Sequence, residues 1–265
     1  MRADTCRTDD EKARHVAKGK SKQDDRRAKL EALERERKTA ERKRTLLFVG
    51  VIGVIAAIII GATGWSLYRD NQRQSEFADK NLDQIGVSAD AAACDDVVRA
   101  PADGSGDHIE SGPIPYEAAP PASGPHRPTW LQLEKAEEFY TVEERPEVPL
   151  LVHNLEHGYT ILWYDQSVAD DAAQVEELEG LAGKFGGNDD NPDNAFIAAP
   201  WTADDGDAFP EGKHYALTHW YANPETGKDQ EGITQYCGKL SGSVVEKFMD
   251  DFPQSDAPEG GPRFL

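Results

Sequence analysis

The chain has 265 residues, with 29 Lys and Arg against 49 Asp and Glu, a formal charge of −20. The charge is unevenly spread: residues 1–45 hold 16 basic and 10 acidic residues, and residues 46–265 hold 13 basic and 39 acidic. The larger segment repels phosphate, which excludes a nucleic-acid role for it.

Residues 1–45 form a basic tail. Residues 22–44 are rich in Lys, Arg, Glu and Ala, all good helix formers. Glu31–Arg35 and Glu34–Lys38 are i,i+4 pairs in the favourable order. Apolar residues are too few for a core, so the expectation is a solvated, partly helical tail attracted to anionic lipid. RNA or another acidic partner is the lesser alternative for this tail.

Residues 46–68 read LLFVGVIGVIAAIIIGATGWSLY, without a charge. A bilayer core takes about 20 apolar residues in a helix. A signal-peptide core is only about 7–15 residues long. The run therefore predicts an uncleaved, single-pass transmembrane helix. Arg42, Lys43 and Arg44 precede it, and the chain turns acidic soon after Arg69. Positive charge stays cytoplasmic, so the N-terminus is expected inside. The rest lies outside the plasma membrane, with Trp65 and Tyr68 at the outer interface.

Residues 69–92 are polar and read as a stalk, and residues 93–253 as one extracytoplasmic α+β domain. Residues 94–128 are dense in Gly and Pro, which predicts an irregular, extended path. Tyr159–Tyr164, Asn194–Trp201 and Lys213–Ala222 read as strands, being β-branched and aromatic. Val168–Phe185 and Ser241–Phe252 carry apolar residues at helical spacing. The expected order is strand, helix, strand, strand, helix, which a thioredoxin-like winding would satisfy, though without the C-x-x-C of redox members. Residues 254–265 read as a loose tail.

Of three cysteines, Cys6 lies in the tail read as cytoplasmic, where thiols stay reduced. Cys94 and Cys237 are both in the outer segment, which predicts a disulfide between them. No thiolate pair has the spacing of a zinc knuckle.

Histidine carries the remaining chemistry. His108, His126, His153 and His157 fall within 50 residues, and the last two form H-N-L-E-H before Gly158. A spacing of four puts both rings on one side of a helix or of a strand. On a helix Glu156 joins that side, and on a strand Leu155 does. H-N-L-E-H fits the H-x-x-E-H of inverzincin peptidases, where Glu156 would be the catalytic base. Against this, Gly158 and the β-type run from Tyr159 favour ending any helix there.

Three or four imidazoles without thiolates suit zinc or copper, and Met occurs only at Met1 and Met249, which leaves a thioether Cu(I) site unsupported. The alternative is a structural or interaction domain in which each histidine only locks its own loop. His214 and His219 are five apart in one strand and face opposite sides, so they do not form a pair. No G-x-S-x-G elbow or phosphate-binding glycine loop is present.

Three segments together carry a family resemblance: H-I-E-S-G-P-I-P-Y (His108–Tyr116), P-P-A-S-G-P-H (Pro120–His126) and V-H-N-L-E-H-G-Y (Val152–Tyr159). With Trp130, Phe139-Tyr140, Ala199-Pro200 and A-L-T-H-W (Ala216–Trp220), they resemble the bacterial domain of unknown function 3105 over residues 105–252. The resemblance implies an N-terminally anchored membrane protein, chiefly of actinobacteria, and supplies no reaction. It implies that His108, His126, His153 and His157 belong to one site and that His219, at a position where the family usually has another residue, does not.

The primary expectation is therefore a membrane-anchored binding module using these four histidines, with an envelope protein as a partner. A zinc hydrolase with Glu156 as base and a metal-free structural domain are the alternatives.

Overall fold

Period-two alternation decides which side chains each face of the sheet receives. In Thr160–Tyr164, Ile161 and Trp163 enter one apolar layer, and Leu162 and Tyr164 enter the other. All five residues are buried, so this strand lies inside the sheet with both faces covered.

The computed structural model describes residues 29, 35, 37–39, 41–44, 47–61 and 64, then 76–102, 106–132, 136–186 and 194–261. The chain divides into two compact units, Met1–Arg69 and Asp70–Leu265. The first contains one helix, Arg37–Gly61, long and apolar enough to cross a membrane. Trp65 and Tyr68, expected at the outer interface, lie outside the described residues.

In the second unit the elements run β1 (Val98–Pro101), α1 (Val148–Glu156), β2 (Thr160–Tyr164), α2 (Gln166–Ala169) and α3 (Ala172–Ala182). They continue with β3 (Phe196–Pro200), β4 (Tyr215–Tyr221), β5 (Glu231–Cys237) and α4 (Gly242–Asp251). This is a mixed α+β domain with a five-stranded sheet in the order β1-β5-β4-β2-β3. β2 and β3 are parallel, joined by the α2–α3 crossover, and every other neighbouring pair is antiparallel.

One sheet face packs on α3 and α4 through Leu178, Leu181, Val245 and Phe248. The other face packs on α1 through Leu151, Val152 and Leu155, with Trp163 and Trp220 beneath. His219 points to the α4 side and stacks on Phe252 at 6.2 Å. It is thereby separated by the sheet from the layer that holds α1.

Several expectations need correction. The Gly/Pro-rich arm contains β1, whose backbone pairs with β5 from Val98↔Thr234 to Pro101↔Glu231. β5 itself was not anticipated. The helix expected over Val168–Phe185 is two helices, because Asp165 and Asp171 each cap a new N-terminus by accepting backbone N–H bonds. Phe77, Ile85 and Ala92, within the segment read as a stalk, are buried in the core, so the folded unit reaches back at least to Phe77.

The segment read as a loose tail is also packed: Gln254 and Ala257 are buried, and a 3₁₀ turn spans Gln254–Asp256. The Glu259 N–H donates to the Glu156 carbonyl (2.9 Å), and Gln254 Nε2 donates to the His157 carbonyl (2.8 Å).

Cys94 and Cys237 form the expected disulfide across 143 residues. It fastens the segment before β1 to the end of β5, beside the Asp95 N–H bond to the Tyr236 carbonyl (2.8 Å).

Candidate metal centre

H-N-L-E-H is helical, which resolves the local ambiguity. Pro149 near the start of α1 has the fixed φ that a first turn accepts. Leu151, Val152 and Leu155 then bury one side of the helix. The strand-forming residues that follow do not unwind it, because Gly158 turns the chain at φ +88° immediately after the His157 cap. Glu156 therefore shares the face of His153, as a helix requires.

The Pro/Gly segments bring the other rings to that face. His108 and His126 pair as an isolated parallel bridge, with the Ile109 N–H donating to the His126 carbonyl at 2.7 Å. Arg127 fixes this pair to α1. Its guanidinium bonds the Glu147 carboxylate (2.8 and 3.0 Å) and the carbonyls of Ile109 (3.1 Å) and Gly112 (2.9 Å). Asn154, fully buried on α1, clamps the backbone of Leu131 in both directions, at 3.0 and 2.7 Å.

His108, His126, His153 and Glu156 then offer one ligand atom each, all within 4.8 Å of one another. His153, His157 and Glu259 make a second such group. The four histidines expected to share one point are thus divided, with His153 common to both groups and His157 belonging to the second.

Ring orientation follows from the backbone. His126 Nδ1 lies 2.8 Å from the Gly124 carbonyl, and His153 Nδ1 lies 2.5 Å from that of Arg127. A carbonyl only accepts, so each Nδ1 carries its proton and donates. Each Nε2 is left facing the centre, the arrangement that orients metal-binding histidines. His126 Nε2 stands 3.0 Å from Glu156 Oε2, and His153 Nε2 stands 3.9 Å from the same oxygen.

Purely loop-locking histidines would each have a separate partner. The Nδ1 atoms of His126 and His153 do, but their Nε2 atoms converge on Glu156. His126 is fully buried and Glu156 nearly so, while His108 is exposed at the mouth.

Electrostatics separates these rings. Burial opposes a charged His126, but hydrogen bonds to Glu156 and Gly124 outweigh it and raise its pKa. Burial likewise opposes a charged Glu156, and its hydrogen bond and charge interaction with His126 prevail, so its pKa falls. His153 is pushed down to about 4, chiefly by burial, despite its bond to Arg127. His157 is also lowered to about 4, by burial and then by His153, and stacks on Trp130 at 3.9 Å. A neutral His153 at neutral pH has its Nε2 lone pair available to a cation.

Glu259, Asn154 and Arg127 were missed from the sequence. Glu259 sits among Gly and Pro far along the chain. Asn154 was in plain view inside H-N-L-E-H, and its complete burial is what gives it a role.

Fold and site together define the class: an α+β domain with a buried histidine–carboxylate cluster between a sheet-packed helix and a Pro/Gly-rich loop. The family model described as protein of unknown function (DUF3105) matches residues 108–263, and the chain belongs to that family. The match includes His108, His126, His153, Glu156, His157 and Glu259. No curated protein and no solved structure matches the chain.

Proposed function

We propose that this protein is a membrane-anchored, extracytoplasmic module that binds a transition-metal ion through His108, His126, His153 and Glu156. The observation that carries the reading is the convergence of those four ligand atoms within 4.8 Å, with two Nδ1 atoms tied to backbone carbonyls. Three imidazoles and one carboxylate suit Zn²⁺ or Cu²⁺.

Anchoring rests on the helix Arg37–Gly61, and the orientation on Arg42, Lys43 and Arg44 at the start of its apolar run. The Cys94–Cys237 disulfide fits an oxidising compartment. The order β3-β2-β4-β5, a parallel crossover unit followed by an antiparallel hairpin and α4, supports a thioredoxin-like reading of the winding with β1 added at the edge, which would serve here as a scaffold.

The hydrolase reading gains a helical H-N-L-E-H. It loses its free base, because Glu156 stands with His126 inside the ligand set. With a single ion bound, four protein ligands in a tetrahedral set leave no open position.

The test is metal titration of the full chain in detergent micelles, stripped of metal, at physiological salt with a competing chelator. Salt suppresses diffuse binding to the acidic surface. One tight equivalent in the parent chain, lost in His126→Ala, supports the reading. Equal binding by both chains overturns it.

A further inference from the structure

His153 belongs to both ligand groups, yet it has one nitrogen to give. Its Nδ1 is committed to the Arg127 carbonyl, so only Nε2 faces the cluster. The His153 and His157 rings are stacked at 5.0 Å and 13°, one turn apart on α1 and its cap. Their ligand atoms and a Glu259 carboxylate oxygen lie within 4.8 Å of one another, with His157 Nε2 3.7 Å from Glu259 Oε2.

Three bonds hold the segment around Glu259, one of them made by Glu259 itself. Its own N–H donates to the Glu156 carbonyl (2.9 Å), the Gly261 N–H donates to Gln254 Oε1 (2.9 Å), and Gln254 Nε2 donates to the His157 carbonyl (2.8 Å). Residues 254–261 are thereby fixed across the cap of α1, at the second group.

We infer that the chain holds a second divalent ion, bound by His153, His157 and Glu259, beside a first bound by His108, His126 and Glu156. The inference rests on the metal-binding reading above and extends it. The six side chains divide three and three with none used twice. A first ion alone takes His153 as its fourth ligand. A second ion draws His153 to itself and leaves each ion three protein ligands, so each keeps a position for water or an oxygen-donor ligand. The two carboxylates, one per ion, offset part of the added charge. The second position depends on Glu259 from the C-terminal segment, whereas the first needs no residue later in the chain than Glu156.

Zn²⁺ titration of the metal-stripped full chain in detergent micelles, with a competing chelator and metal counted by mass spectrometry, tests this. The parent chain should take up two equivalents. Glu259→Gln keeps size and hydrogen bonding but removes the charged ligand, and should keep the tighter equivalent. Changing even a residue that only hydrogen-bonds a metal ligand costs about 10–100-fold in affinity, so the weaker equivalent should weaken at least that much. His157→Gln should act in the same way, and circular dichroism of both metal-free variants checks that the fold is kept. A parent chain that binds only one equivalent, or two equivalents unchanged in both variants, overturns the second position and leaves the first intact. No tight binding by the parent chain overturns both.

Discussion

His126 Nε2 and Glu156 Oε2 stand 3.0 Å apart with almost no exposure to solvent. Burial opposes charge on both, yet their interaction raises the His126 pKa above the ordinary histidine value and lowers that of Glu156 below the ordinary carboxylate value. On the metal-binding reading an ion would take the place of the His126 proton, so uptake should release protons and weaken as pH falls.

The pair has a signed consequence. His126 has its folded pKa raised above its unfolded value. Its contribution to stability is full below the unfolded value, about 6.5, and is lost as pH rises through the folded pKa. Glu156→Gln removes the ionised partner, so the His126 pKa should fall when followed by NMR in the metal-free chain. Metal affinity should fall as well. An unchanged His126 titration would mean that the 3.0 Å contact does not set its protonation.

His219 gives the opposite sign on the other face of the sheet. It is fully buried against Phe252, and burial lowers its pKa to about 4. The unfolded chain binds this proton more readily, so stability is lost as pH falls from about 6.5 towards 4. Between pH 7 and 5 this one group accounts for about 2 kcal/mol. His219→Phe should flatten the acid limb of urea-unfolding free energies in the metal-free chain. An equally steep limb in the variant would place the acid sensitivity elsewhere, at His153 and His157.

The disulfide closes a long loop. The chain-entropy model gives about 4–5 kcal/mol for a span of that length, and native disulfides in small domains contribute about 2–5 kcal/mol. Cys94→Ser/Cys237→Ser should lower the unfolding free energy by an amount in that range, read from urea midpoints. The loss should match that caused by reducing the parent chain.

The parts of the fold legible in the sequence were those with local signals. β2 announces itself by its β-branched and aromatic run, and α4 by Val245 and Phe248 on one face. Cys94 and Cys237 paired because the outer segment holds no others. α1 was ambiguous because Gly158 and the following strand signal argued against a helix whose stability comes from packing on Trp163 and Trp220. β1 finds its partner β5 only through distant pairs such as Val98↔Thr234, and its short pattern is quiet without that partner. Four site residues showed as histidines. Glu259 did not, because one glutamate among 49 acidic residues carries no mark until its backbone is seen bonded to Glu156 at the end of α1.

That contact depends on Gly158. Its φ is +88°, and a Cβ there would run into the backbone of Gln254. Gly212 has a similar φ, +76°, with open space around it. Alanine at either site incurs the left-handed backbone penalty, about 1–2 kcal/mol. Only at Gly158 must the C-terminal segment also move. Gly158→Ala should therefore destabilise the chain more than Gly212→Ala, measured by thermal unfolding. Because Gln254 positions Glu259, Gly158→Ala should also weaken the second Zn²⁺ equivalent and spare the first. Equal destabilisation by the two substitutions would show that the segment yields readily, and the hold of Gln254 on Glu259 would then be loose.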